Sequence, residues 1–182
     1  IICLKRNLTF LLMIMISLES IPSSFNFGVL PNDELKILTV FITKIKNLKH
    51  LAIVLSGETQ RSHNLSEIID LLKGCNQLES LSVNYNHNYK IEAFLEAIRE
   101  LLNRQINLKQ FSLEIPAYKK NIGIIFDKIP DDSKLERIYL NLSFCEITDA
   151  SVKSIASGLK KMLKLKEFTL RSRLASTLKE KQ

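Results

Sequence analysis

A six-residue pattern, apolar-x-x-apolar-x-apolar, returns along this chain at a nearly fixed interval, and that interval limits the folds open to it. The pattern stands at Leu48/Leu51/Ile53, Leu78/Leu81/Val83, Leu108/Phe111/Leu113, Leu135/Ile138/Leu140 and Leu165/Phe168/Leu170, with first residues 30, 30, 27 and 30 positions apart. Its closing alternation sets apolar side chains on one face of an extended strand. Residues 135–170 show a whole unit. Leu135, Ile138, Leu140 and Leu142 lead through Cys145 and Ile147 to Thr148-Asp149-Ala150-Ser151, which reads as a helix start. Val152, Ile155, Ala156, Leu159 and Leu163 then recur at helical spacing, and Leu165 opens the next copy. One more copy, Leu8/Leu11/Met13, lies 40 residues before Leu48. A match at Leu35/Leu38/Val40 falls only 13 residues before Leu48 and shares helical spacing with Ile42 and Ile45, so it is read as part of a helix.

Helix-period segments fill the gaps between copies: residues 35–45; Leu65, Ile68, Ile69 and Leu72; Ile91, Phe94, Leu95, Ile98 and Leu102; Ile122, Ile125, Phe126 and Ile129; and 152–163. The spacing thus predicts five strand-helix units and a sixth strand. One such unit has an apolar strand face and an apolar helix face and nothing of its own to cover them. Stacking on neighbours buries both, which is the physical reason for a repeat.

Residues 8–170 resemble the leucine-rich repeat, in particular its ribonuclease-inhibitor-like subtype, with the longer repeats seen in protist proteins. The resemblance implies an α/β fold: a right-handed solenoid bent into a horseshoe arc, with parallel strands on the concave face and α-helices on the convex face. It implies one domain over residues 1–182, about five repeats long. In that family an Asn or Cys after the strand satisfies backbone groups at the turn, and Cys145 stands at that place. The other units offer Glu58, Asn86 or Asn88, and Tyr118 there, so looser turns are expected in them.

The connecting stretches fit this reading. Residues 1–18 carry Lys5-Arg6 and then an apolar run, which reads either as a signal-peptide core or as the first strand; the ruler at Leu8, Leu11 and Met13 favours the strand. Residues 19–32, rich in Ser, Pro, Asn and Gly, read as a loop, with Asn32 or Asp33 capping the next helix. Asn64 or Ser66 is a candidate cap one unit on. Residues 84–90 (Asn-Tyr-Asn-His-Asn-Tyr-Lys) read as an Asn-rich turn, with a binding loop as the alternative. Pro130 ends the helix of the 27-residue unit early. The chain starts with Ile and neither end reads as a polar cap, so a fragment of a longer solenoid or multidomain protein is expected.

Three cysteines, Cys3, Cys75 and Cys145, have no metal-like spacing, which points to free thiols and an intracellular, cytoplasmic setting. Sequons at Asn7, Asn64 and Asn141 are read as chance matches. The chain carries a net charge of +7, and residues from Lys153 onward, with nine basic and two acidic side chains, account for all of it. That end suits nucleic acid or an acidic membrane surface, or is simply a solvated helix face and tail. No catalytic motif is present: no Gly-rich phosphate loop, H-E-x-x-H, G-x-S-x-G or C-x-x-C. His50, His63 and His87 fall on different repeats and do not converge. The expectation is a non-enzymatic protein with no cofactor, no metal site and no small-molecule substrate.

The residues between the ruler positions point away from the core. They run Phe10, Leu12, Ile14; His50, Ala52, Val54; Ser80, Ser82, Asn84; Gln110, Ser112, Glu114; Arg137, Tyr139, Asn141; and Glu167, Thr169, Arg171. In the family this row forms the concave surface that meets partners. Arg137, Tyr139, Asn141, Glu167, Thr169 and Arg171 combine the residue types enriched at interface hot spots, so they are the candidate contacts for a protein partner. The alternative is that the segment is the recognition arm of a larger signalling enzyme, a kinase or ubiquitin-ligase component.

Overall fold

The ruler residues form a row of parallel strands in the computed structural model, which describes residues 25–26, 36–37, 39–40, 42, 48–56, 63–75, 77–86, 91–115, 118 and 121–172. The strands are β1 (Phe25–Asn26), β2 (His50–Ser56), β3 (Ser80–Asn86), β4 (Gln110–Glu114), β5 (Arg137–Asn141) and β6 (Glu167–Arg171). They lie side by side in chain order, all parallel, in an open sheet. Between them run α1 (His63–Gly74), α2 (Ile91–Arg104), a 3-10 helix at Ile122–Phe126 and α3 (Asp149–Lys161). The fold is therefore mixed α/β, a parallel sheet alternating with helical segments. Among the described residues no helix is long and apolar enough to cross a membrane.

The register keeps like positions together. Leu51, Leu81, Phe111, Ile138 and Phe168 stand in one column, and Ile53, Val83, Leu113, Leu140 and Leu170 in another. From β2 to β5 every ruler residue is buried, none more than 8% exposed. A slip of one residue would turn both columns to solvent, so burial fixes the register. The ruler also has a fourth position: Leu55, Tyr85, Ile115 and Leu142, two residues further on, are all buried. On β6 that protection fades. Leu165 and Phe168 are half-buried, Leu170 is exposed, and Ser172 takes the fourth position.

The helical layer packs on the other side of the core. α2 buries Ile91, Phe94, Leu95, Ala97, Ile98, Leu101 and Leu102, a single helical face. Phe94 stacks on Tyr85 of β3 with ring centroids 4.6 Å apart. Each such large side chain taken out of water contributes about 1.5–3 kcal/mol. Thr148 caps α3, its hydroxyl accepting the Ser151 N–H at 3.2 Å. Gln105, buried just past α2, ties two units together. Its Nε2 donates to the Cys75 carbonyl, and its Oε1 accepts the Leu78 N–H at 3.0 Å.

Several expectations need correcting. Phe25–Asn26 is a strand paired with Ile53 and Val54, inside the stretch read as a loop. Its register puts Phe25 level with Ile53, 28 residues on, so Ser20 and Ser23 stand where the ruler calls for apolar residues. The strand expected at Leu8, Leu11 and Met13 lies outside the described residues, as do Asn32, Asp33, Glu58, His87, Asn88 and Cys3. α1 begins at His63, so Asn64 and Ser66 are inside it and cap nothing. Tyr85 is a core residue of β3 and not part of an exposed loop. The segment at Ile122–Phe126 is a 3-10 helix, not α; its apolar spacing of three and one serves either form, and the shortened unit has room only for the tighter one. α3 buries Ser151, Ile155 and Gly158, whereas Val152 and Ala156 are exposed and Leu163, beyond the helix end, is 87% exposed. The buried face is the one laid on the 3-10 helix, where two glycines allow close approach. A Cβ on Gly123 would sit 2.5 Å from Ser154 Cβ, and one on Gly158 would sit 2.5 Å from Phe126 Cβ.

Candidate functional site

The side chains that leave the sheet away from the helices form three columns, set by the same register that aligns the core. The first is His50, Ser80, Gln110, Arg137, Glu167; the second Ala52, Ser82, Ser112, Tyr139, Thr169; the third Val54, Asn84, Glu114, Asn141, Arg171. The second column is small from β2 to β4, so Tyr139 rises at the edge of a low floor. The expected first row, Phe10, Leu12 and Ile14, lies outside the described residues.

The six predicted contact residues do come together, because β5 and β6 pair directly. Arg137 faces Glu167, Tyr139 faces Thr169 and Asn141 faces Arg171. The Arg171 guanidinium lies over the Tyr139 ring, 5.5 Å from its centroid. Such a cation-π contact is worth about 0.5–1 kcal/mol at an exposed site and holds both groups in place. Arg137, Glu167 and Arg171 are exposed, while Tyr139, Thr169 and Asn141 are partly so. Asn141 is the least available of the six. Its Oδ1 accepts from the Ser143 N–H at 3.3 Å and from the Ser143 hydroxyl at 2.7 Å, so it closes its own turn.

The turn after β5 is anchored to the unit before it. The Cys145 thiol donates to the Ile115 carbonyl at 3.1 Å and accepts the Tyr118 N–H at 3.4 Å, and the Glu146 N–H reaches the Tyr118 carbonyl at 2.8 Å. Phe144 at the turn's tip has φ of 65° and is half exposed, an aromatic held in a left-handed conformation that favours glycine. Neither thiol is poised as a nucleophile. Burial pushes Cys75 up to about 11 and raises Cys145, so both stay protonated near neutrality. Among the described residues no group of three or more His, Cys, Asp or Glu side chains gathers where a metal ion would sit.

One feature escaped the sequence reading. The residue after each unit's first ruler leucine alternates in charge along the row: Lys49, Glu79, Lys109, Glu136, Lys166. Lys49 and Lys109 each reach Glu79 at 2.8 Å, and Lys166 reaches Glu136 at 2.9 Å. Hydrogen bonds from Lys109 and then Lys49 hold the Glu79 carboxyl down to about 2, against an ordinary 4.5. The bond from Lys166 likewise lowers Glu136, and the bond to Glu79 raises Lys109. The signal was in the sequence, but only when the units are set one above another.

A pH prediction follows with a definite sign. A carboxyl with a lowered folded pKa stabilises the fold fully above its ordinary pKa and loses that contribution as pH falls through the folded one. Wild-type protein should therefore lose urea resistance between pH 4.5 and pH 2 more steeply than Glu79→Gln. Because the lysines are 59% and 48% exposed, the difference should shrink in molar salt. Equal slopes for the two proteins at low salt would show the ladder to be energetically idle.

Comparison with protein-family models gives no match to this chain, and comparison with curated proteins gives none either.

Proposed function

We propose that this chain is a leucine-rich-repeat solenoid of the ribonuclease-inhibitor-like type, a right-handed arc that binds a protein partner on its concave strand face and carries out no catalysis. The observation that supports this reading most is the Tyr139–Arg171 pair. It stands at the edge of a row of small side chains, flanked by exposed Arg137 and Glu167. A rigid aromatic locked by a guanidinium, with charges of both signs beside it, is how protein hot spots are commonly built. The strict register supports the solenoid part of the reading, because each unit sets its outward residues level with those of its neighbours.

The test is a pull-down with wild-type protein against Tyr139→Ala plus Arg171→Glu. Loss of two hot-spot residues should lower recovery of specific partners at least about tenfold. Recovery of the same partners at the same yield would remove the strand face from consideration. A second reading has its own observation. Lys153, Lys160, Lys164 and Lys166 are all exposed near β6, which suits nucleic acid or an acidic membrane. Binding that collapses between low and moderate salt and ignores the Tyr139/Arg171 change would favour it. Under either reading the segment can serve as the recognition arm of a larger signalling enzyme, with its chemistry elsewhere.

A further inference from the structure

The charged row carries backbone hydrogen bonds as well as ion pairs. In four successive steps the carbonyl of one row residue accepts two N–H groups from the next unit. Lys49 accepts from Glu79 (2.7 Å) and Ser80 (2.9 Å), and Glu79 from Lys109 (2.8 Å) and Gln110 (3.1 Å). Lys109 accepts from Glu136 (2.8 Å) and Arg137 (3.0 Å), and Glu136 from Lys166 (2.8 Å) and Glu167 (3.0 Å). Among the described residues nothing donates in this way to the Lys166 carbonyl. The Lys166 ammonium meets a carboxylate on one side only and is 71% exposed, whereas Glu79, paired on both sides, is 26% exposed. Beside it the ruler residues of β6 are half-buried or exposed, while their counterparts on β2 to β5 are buried.

We propose that the free edge of β6 receives a parallel strand from a partner protein, with the pattern apolar-acidic-x-apolar-x-apolar, its acidic residue set against Lys166. The edge is a different surface from the strand face proposed above. The acidic residue follows from the alternation: a lysine there would bring two ammonium groups to strand spacing, about 4.8 Å, whereas a carboxylate would continue the row. The parallel direction follows from the paired N–H donors, which recur at every step. The three apolar residues would cover Leu165, Phe168 and Leu170 as each existing strand covers the one before it. A partner protein is favoured over a second copy by the sequence. Only residues 78–83 and 135–140 of this chain carry the pattern, and both are already built into β3 and β5.

The test uses the full chain and a labelled peptide copied from residues 134–142, whose register beside a lysine row residue is known from β5. A second peptide carries Lys at the place of Glu136. Fluorescence anisotropy should show the Glu peptide binding about fivefold tighter than the Lys peptide at low salt. Lys166→Glu should invert that preference and Lys166→Ala should erase it. Tyr139→Ala should leave both affinities unchanged, which separates this edge from the strand face. Far-UV circular dichroism checks that each variant is folded; the exposed position of Lys166 makes all of them so. Absence of saturable binding by either peptide, or a preference that survives Lys166→Glu, would overturn the proposal.

Discussion

Replacing Gln105 by Leu should cost about 3 kcal/mol of stability, although the two side chains are close in size. The amide of Gln105 satisfies the Cys75 carbonyl and the Leu78 N–H, which join the end of α1 to the start of β3. Leu78 is fully buried and Cys75 and Gln105 nearly so, so water cannot replace either bond. A buried polar group left without a partner costs about 1–3 kcal/mol, and the substitution strands two. Urea unfolding measures it: the midpoint should fall while the slope stays that of wild type. Gln105→Glu sharpens the assignment. An ionised carboxylate still accepts from Leu78 but has no hydrogen for Cys75, whereas a protonated one has. Burial raises the folded pKa of that carboxyl, so its contribution is present at low pH and lost as pH rises through the raised value. The variant should grow less stable from pH 4 to pH 7, the reverse of the trend that Glu79 imposes. A Gln105→Leu protein within about 0.5 kcal/mol of wild type would show that these bonds are not what holds the units together.

Gly123→Ala should be nearly as damaging, and against its intrinsic tendency. Alanine in place of glycine normally favours a helical segment by about 0.5–1 kcal/mol. Here the added methyl would lie 2.5 Å from Ser154 Cβ and 2.7 Å from the Ser151 carbonyl oxygen, and 2.9 Å from the Asn121 Oδ1 that caps the 3-10 helix. Two of those three neighbours are fixed to the backbone of α3, so α3 must lift away from the 3-10 helix. Overpacking of this kind typically costs 1–3 kcal/mol, and about 2 is expected after the propensity gain. Thermal melts of Gly123→Ala, Ser154→Gly and the double variant test the geometry. The double variant should recover part of the loss, because one of the clashing carbons is gone, and the two changes should therefore be non-additive. Strict additivity would mean that α3 does not approach this closely.

The strand positions were legible because the ruler is a burial pattern. Leu81, Phe111 and Ile138 are apolar for the same reason that they are inside, and their spacing survives without any structure. The six contact residues were legible for the same cause, since a fixed register makes Tyr139 and Arg171 neighbours across β5 and β6. The first strand was not legible, because Ser20 and Ser23 stand where the ruler wants apolar residues and only Phe25 keeps to it. The 3-10 helix was hidden because Ile122, Ile125 and Phe126 satisfy either helical period, and length alone decides between them. The buried face of α3 was misplaced because two of its members, Ser151 and Gly158, are not apolar; they are inside because small residues let α3 lie close to the 3-10 helix. Gln105 was invisible for a different reason. A glutamine at a helix end reads as solvated unless the next unit's free N–H is known to point at it.

The alternating row has a consequence for how the number of units can change. Removal of any single internal unit would bring two like charges together: without the unit led by Glu79, Lys49 would stand beside Lys109. Removal of two adjacent units, those led by Glu79 and Lys109, would set Lys49 beside Glu136 and leave every neighbour matched. Gain or loss of units in this chain is thus governed by parity, with even changes electrostatically silent and odd ones penalised at the junction. Units led by lysine and units led by glutamate behave as two letters of an alphabet. The pair, about sixty residues long, is the true period of the molecule.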